Sequence, residues 1–401
     1  MKKLIHNKQS IKMIALVMGN ASSRLMSLLS ILLISHLLAS SEYGMFTSMY
    51  NISMALASFV SMPILQCQLK YNLDHNLKTR STIFMYFLLF SLVYFLVGFG
   101  AYYINAINSD YIYISSAIVI HFFITQTIAN TYISNNEDYK SVISILVNNF
   151  IFWALVLINL TFFDSLQYLA LSLIFSSLAI FILYISTLKE SKKEENNRPD
   201  YRFIKDFVIP AFLASCASAP VLIYILNDFD KLDGEVKVYF NIAYQWFQIL
   251  SFVILSVTPK LIVMFTTNVS MNFNKLAGLI KILVSMWALG LILGWIVLRL
   301  YNVVDHQYLN DVAFILISSS VLSAYSGVIG VYILSKHSMW HGALINFLWA
   351  LMMLFFYFEF EVSDSLSMSK VFLTSYFIHS ILCTLYMLKK LKGISNESTI
   401  H

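Results

Sequence analysis

The chain has 401 residues, of which 59% are apolar and only 12% charged, with a formal charge of +5. A soluble domain of this length needs a charged surface, so the balance excludes one and makes lipid the solvent of most of the chain. The basic residues sit in short segments between apolar runs and never form one long stripe, so topology rather than nucleic-acid binding accounts for the positive charge.

The hydrocarbon core of a bilayer is about 30 Å thick and a helix rises about 1.5 Å per residue, so a span takes about 20 apolar residues. Apolar runs between polar breaks predict spans at 13–38, 45–66, 81–105, 111–133, 141–163, 166–188, 207–226, 238–262, 279–300, 312–334, 341–360 and 369–388. The expected fold is therefore an all-α polytopic membrane protein of about twelve transmembrane helices. Lys2, Lys3, Lys8 and Lys12 precede the first run, but the run is too long for a secretory signal and reads as an uncleaved span.

Arg24 lies near the centre of the first span, and Asn20 and Ser35 share its helical face. Burying a guanidinium there costs at least about 2.5–3.5 kcal/mol, so the side chain is expected to face a polar cavity or a partner. One reading is a cationic site for an anionic group; the other is an arginine bonded to carbonyls of neighbouring helices. No carboxylate at similar depth is available to neutralise it. In the second span Thr47, Asn51, Ser58 and Ser61 form a polar stripe, and in the eighth Asn241, Gln245, Gln248 and Pro259 form another. Both stripes read equally as cavity lining or as hydrogen bonds between helices. Gln126 and Asn130 share a face of the fourth span, with His121 on the opposite side, and His379 sits near mid-depth in the last span. The two histidines are second-rank candidates, as proton carriers or as hydrogen-bonding partners. Pro210 and Pro220, flanking a run of small residues in the seventh span, suggest a hinge together with Pro259.

The longest polar stretch, 189–206, reads as a cytoplasmic linker between a six-helix bundle at 1–188 and a second at 207–401. A shift of 196 residues places Tyr43 on Tyr239, Pro63 on Pro259 and Gly98 on Gly294. Six spans per half is an even number, so the two repeats are expected to be parallel. With the N-terminus in the cytoplasm, the basic residues in outside segments are Lys231, Lys237, Arg299 and Lys370, whereas Arg24 lies within a span and all the others fall in cytoplasmic segments. The positive-inside rule then puts both termini in the cytoplasm.

No Asp or Glu falls near the middle of any span. The three cysteines, Cys67, Cys216 and Cys383, are far apart and have no metal-ligand spacing. No phosphate-binding loop, zinc-protease helix, nucleophile elbow or kinase signature occurs, so neither an enzyme nor a cofactor or metal site is expected.

The stretch Ser23-Arg24-Leu25, followed by Leu37-Leu38-Ala39-Ser40-Ser41-Glu42-Tyr43-Gly44-Met45-Phe46, resembles the first helix and first outside turn of bacterial polysaccharide flippases. These are the O-antigen (Wzx-type) exporters of the multidrug/oligosaccharidyl-lipid/polysaccharide (MOP) superfamily. The segment Tyr239-Phe240-Asn241-Ile242-Ala243-Tyr244-Gln245-Trp246 through Pro259 is similar to the eighth helix of that family. The resemblance implies two parallel six-helix repeats of the MATE/MOP kind in a bacterial inner membrane. It also implies that a glycan repeat unit on undecaprenyl diphosphate crosses to the periplasmic leaflet by alternating access. The diphosphate would then be the partner of Arg24, and the amides at Asn20, Asn51, Gln126, Asn130, Asn241, Gln245 and Gln248 would meet sugar hydroxyls. Membrane lipid and a glycan polymerase are the other partners implied. Several family members carry more charges inside the membrane than this chain does. A multidrug antiporter of the same superfamily is the first competitor, but it would want an acid within the membrane. A glycan polymerase or ligase is the enzyme alternative, and it would want a large outside loop.

Overall fold

The computed structural model of the chain describes residues 18–19, 22–23, 25–38, 40–75, 90–91, 94, 112–134, 137–162, 174–175, 177–182, 184, 204–232, 234–255, 258, 261–262, 265, 273–301, 303–336 and 339–397. Regular structure among them is helical throughout. A helix pairs its backbone donors and acceptors within one segment, which is what hydrocarbon demands of a spanning chain.

In chain order the helices are α1 (Leu25–Leu37), α2 (Ser40–His75), α3 (Ile112–Ser134), α4 (Asp138–Phe162), α5 (Ile209–Phe229), α6 (Gly234–Leu255), α7 (Phe273–Val297), α8 (His306–Lys336), α9 (Met339–Glu359) and α10 (Ser365–Glu397). A π-helical turn, Ile204–Val208, leads into α5, and a 3-10 turn, Leu298–Leu300, closes α7. The expected spans recur as helices where their residues are described; most of those expected at 81–105 and 166–188 lies outside the described residues. Where 111–133 was expected α3 runs Ile112–Ser134, whereas α2 overruns its expected 45–66 at both ends. The apolar run marks only the part in lipid, while the backbone continues to coil into the interfacial region at about 1.5 Å per residue.

The chain divides into two compact units, Met1–Glu235 and Val236–His401. Within the first unit α5 packs on α2. Residues 189–203 lie outside the described part.

Contacts across helices fix the direction of each pass in the first unit. The Ser53 and Ser115 hydroxyls lie 2.7 Å apart, and the Gln68 amide donates to the Thr131 hydroxyl at 3.2 Å. Residue numbers thus rise together along α2 and α3, which run parallel and require a return pass between them. Phe90 and Tyr94 belong to that pass: Phe90 stacks on Phe123 at 3.9 Å, while Tyr94 donates earlier in α3, to Ser116. Helix α4 runs back along α3, with Phe152 against His121 and the Lys140 ammonium over Tyr132. The short helical stretch 177–182 and Tyr184 run with α3 again, pairing Ser177 with His121 and Tyr184 with Tyr132. Finally the chain from Gly19 into α1 runs with α4, since the Trp153 indole donates to Ser27 at 2.8 Å and Gly19 lies against Val142. The described parts of these passes therefore alternate in direction.

The second unit alternates in the same way. Residue numbers rise together along α6, α8 and α10: the Phe240 N–H donates to Ser365 and Phe247 meets Tyr376, while the Leu366 N–H donates to the Tyr308 hydroxyl and Tyr325 bonds Thr384. Helix α9 runs opposite to α10, with His341 against Tyr386 and Trp349 against Tyr376.

Two helix starts are fixed by aspartates. Asp305 accepts from the Tyr308 N–H at 2.9 Å and caps α8. Asp364 accepts from the Ser367 N–H at 2.7 Å, while the Ser367 hydroxyl accepts back from the Asp364 N–H at 3.2 Å. This reciprocal pair is a capping box for α10. The turn before it holds Glu361 at φ 44°, in the left-handed region.

Candidate functional site

Arg24, Asn20 and Pro259 lie outside the described residues. Around them, the face of α1 carrying Ser23, Ser27, Ser30 and Ile34 is buried, whereas Leu25, Leu29 and Leu33 are exposed. The exposed leucines are what a lipid-facing stripe requires, and the buried serines are what close helix contact favours.

The candidate residues of the first unit fall in the seams between helices. Asn51 is 1% exposed on α2, and Thr47 turns back to the Tyr43 carbonyl of its own helix at 2.9 Å. Asn130, on α3, donates to the Leu65 carbonyl at 3.4 Å, while Gln68, on α2, donates to the Thr127 carbonyl at 3.5 Å and to Thr131. The two amides reach across the α2–α3 seam in opposite directions, which pins the register of parallel neighbours. Asn130 thus has a partner within the protein, and Gln126 is half-buried on the same helix. His121 is on the far side of α3, as the helical spacing requires, stacked on Phe152 at 4.4 Å with Ser177 3.5 Å from Nδ1.

In the second unit Asn241 and Gln245 are buried on α6, Gln245 to 2% exposure. Neither the Oε1 nor the Nε2 atom of Gln245 has a hydrogen-bond partner. Gln248, one turn on, is half-buried and bonds the Tyr244 hydroxyl. His379, on α10, lies 5.9 Å from the Trp349 ring and 6.4 Å from Tyr376. Pro210 is buried at the start of α5, directly after the π-helical turn, and Pro220 is exposed inside the same helix. A π turn followed by two prolines leaves that segment short of backbone hydrogen bonds, as a bend requires.

The sequence reading missed Gln68 and Trp349. Gln68 lies beyond the apolar run, so its burial at 0% exposure depends on the extension of α2. Trp349 sits in the middle of α9, and a mid-span tryptophan differs from the interfacial ones expected at span ends. Among the described residues no cluster of histidine, cysteine or carboxylate side chains could hold a metal, and Cys67 and Cys383 are free, buried thiols. The polar chemistry of these spans, as described, is that of neutral amides and hydroxyls.

No protein-family profile matches the sequence, and no curated protein matches it. Solved structures match along the whole chain. A MATE transporter in complex with MaD3S aligns over 97% of this chain and 97% of its own, with a TM-score of 0.66 and 11% identity. An outward-facing multidrug resistance MATE family transporter of the MOP superfamily aligns over 97% and 96%, with a TM-score of 0.64 and 10% identity. A MOP superfamily transporter from Pyrococcus furiosus, for which the reverse polarity of its binding pocket suggests a different function, aligns over 97% and 96%, with a TM-score of 0.63 and 12% identity. The chain is thus similar in fold, from one end to the other, to MATE family transporters of the MOP superfamily, and it is a multi-pass helical membrane protein.

Proposed function

We propose that the chain is an exporter that moves an oligosaccharide linked to undecaprenyl diphosphate across the bacterial inner membrane by alternating access, with both termini in the cytoplasm. The observation that carries this reading is the neutrality of the polar groups buried near mid-depth of the described spans. The spans hold no carboxylate near mid-depth, and Gln245 keeps a whole amide without a partner inside α6. Unpaired amides suit hydroxyl-rich sugars, whereas a drug cation or a coupling cation calls for an acid.

Arg24 is the group for the diphosphate. It lies four residues before Leu28 and seven before Ile31, both of which are buried on α1. A guanidinium binds phosphate oxygens bidentately, and its low hydration makes the transfer out of water less costly than for an ammonium. Asn20, Asn51, Gln126, Asn130, Asn241 and Gln248 are the remaining members of the assignment, and a glycan polymerase is the partner that would receive the product.

Replacing Arg24 by Ala or Glu is expected to abolish surface glycan in cells that depend on this chain, while the protein still inserts into the membrane. Normal glycan display with Arg24→Glu would refute the assignment. Arg24→Lys separates charge from bidentate contact: the substitution is mild if charge suffices and severe if the planar fork is needed. Efflux of cationic dyes, with glycan display untouched by loss of the chain, would establish the multidrug reading instead.

A further inference from the structure

The second unit segregates its charges. Its carboxylates are Asp305, Asp311, Glu359, Glu361, Asp364 and Glu397, and all but the last stand where α8 and α10 begin and α9 ends. The opposite end of the same three helices carries lysines: Lys336 closes α8, and Lys389, Lys390 and Lys392 lie in the last turns of α10. Of the lysines on these helices only Lys370 stands at the acid end. Contacts between helices gather the basic end. Tyr325 bonds Thr384 at 2.9 Å and Ser326 bonds Ser380 at 3.1 Å, so α8 is level with α10 residues 54 to 59 places later, and Lys336 with the turns that hold Lys390 and Lys392. His341, exposed at the start of α9, has its ring 5.4 Å from that of Tyr386.

We propose that this basic end of the second unit is a docking surface for the phosphate groups of anionic phospholipids in the adjoining leaflet. Helix α10 shows how the surface is built. On one side Cys383 and Met387 are buried, and Leu391 and Ile394 continue their register. On another side Phe377, Ile381 and Leu385 form an exposed apolar stripe of the kind that faces acyl chains. Lys389 comes next on that stripe and is exposed, and Lys392 follows one helical step later. One face of a single helix thus changes from hydrocarbon to ammonium.

Depth agrees with charge. Lys370 and Lys389 are both exposed on α10, and the helix between them rises about 28 Å, close to the hydrocarbon thickness of about 30 Å. With Lys370 at one boundary Lys389 falls at the other, where the phosphates lie, and Lys390 and Lys392 follow just beyond it. Each ammonium near an anionic leaflet is attracted to it, and the attractions add where no acid competes. Glu397 is the one carboxylate of these helices at this end, and it comes after all three lysines of the turn. The exposed stripe leads into the head-group layer, which is why a lipid rather than a water-borne partner is the occupant. The inference depends on neither the cargo nor the orientation of the chain, so its failure and that of the export reading are separable.

Gly393 stands one turn beyond Lys389 in the same register and serves as the reporter position. In the full chain with Cys67→Ser, Cys216→Ser and Cys383→Ala, a bimane is attached at Gly393→Cys, and the protein is reconstituted in phosphatidylcholine vesicles. The vesicles contain, in turn, the same mole fraction of phosphatidylglycerol or of phosphatidylcholine carrying a nitroxide on the acyl chain close to the head group. At low nitroxide content the phosphatidylglycerol is expected to quench about threefold more than the phosphatidylcholine, and the excess should vanish in about 1 M salt, where charges are screened within about 3 Å. Lys389→Gln, Lys390→Gln and Lys392→Gln together are expected to make the two lipids quench equally, whereas arginine at the same three positions keeps the difference. Unchanged quenching by phosphatidylcholine shows that the helix end has stayed at the boundary; if it drops, the salt dependence of the chain that retains its lysines decides. Equal quenching by the two lipids in that chain overturns the proposal and leaves an acidic, water-borne partner for the patch. So does a preference that survives the three glutamines or high salt, since the anion is then held elsewhere.

Discussion

A methyl group at Gly19 tests the packing of α1 on α4 with an internal control. A Cβ built on Gly19 falls 2.1 Å from Val142 Cγ1, 3.0 Å from Cγ2 and 3.1 Å from Cβ, where ordinary contact begins at 3.4 Å. The two backbones would have to separate by roughly 1 Å, or Val142 would have to leave its favoured rotamer, because a β-branched side chain in a helix has little freedom at χ1. Overpacking of this kind costs about 1–3 kcal/mol, against about 1 kcal/mol gained from the better helix propensity of alanine, for a net loss of up to about 2 kcal/mol. Gly278 and Gly330 have no atom within 4 Å of an added Cβ, so alanine there should stabilise by about 0.5–1 kcal/mol. The same chemical change is thus expected to have opposite signs at Gly19 and at Gly330. Unfolding of the purified chain in detergent micelles measures both, and Val142→Ala should restore the Gly19→Ala variant in a double-mutant cycle. If Gly19→Ala were as stabilising as Gly330→Ala, or if the cycle showed no coupling, the close approach of the two helices would be refuted.

The cap of α10 makes stability depend on pH in a defined direction. Burial alone would raise the Asp364 carboxyl, but hydrogen bonds from the Ser367 hydroxyl and N–H and from the Tyr308 hydroxyl hold it below the usual carboxylate range. A carboxyl lowered in the native state contributes stability that is complete above its unfolded value, about 4, and is lost as the pH falls through the lower native value. In acid titrations of unfolding, Asp364→Asn should keep the cap yet flatten this part of the profile, whereas Asp364→Ala should cost about 0.5–2 kcal/mol at neutral pH. An unchanged acid limb in Asp364→Asn would mean that other carboxyls govern it. At Glu361, where φ is 44°, glycine should stabilise the chain by about 0.5–1 kcal/mol by relieving a left-handed backbone; a loss of stability there would show that the glutamate side chain has a role in the turn.

How much of this was legible in the sequence depends on which force set each feature. The centres of the spans were, because the thickness of hydrocarbon dictates a run of apolar residues, and Ile112–Ser134 or Met339–Glu359 needed little beyond that run. The ends were not. Past Gln66, α2 continues through Gln68 and Lys70, polar residues that an apolar run cannot include, and it is Thr127 and Thr131 of α3 that receive Gln68. For the same reason Asn130 was visible as a polar residue in a span, but its partner, a carbonyl 65 residues earlier in the chain, was not. The contacts of α5 with α2 likewise come from tertiary packing, which polar breaks in the chain do not encode. His379 was readable as a buried histidine, yet the rings and unmet groups around it come from tertiary packing alone.

Helix α7 has an unusual relation to its solvent. Only 17% of its apolar stretch, Leu276–Leu300, is covered by protein, compared with 83% for Ile114–Ile133 of α3. Acyl chains must therefore supply most of its neighbours, and its ends must answer to the lipid: the Arg299 guanidinium rests 3.8 Å above Trp295, a pairing suited to the boundary between tails and head groups. A thinner or thicker bilayer would strain α7 before any other described helix of its unit, because α3-like burial is not there to hold its tilt. Membrane composition thus enters this fold as a structural component, and growth temperature or acyl-chain length, which alter bilayer thickness, would act on the chain through that one helix.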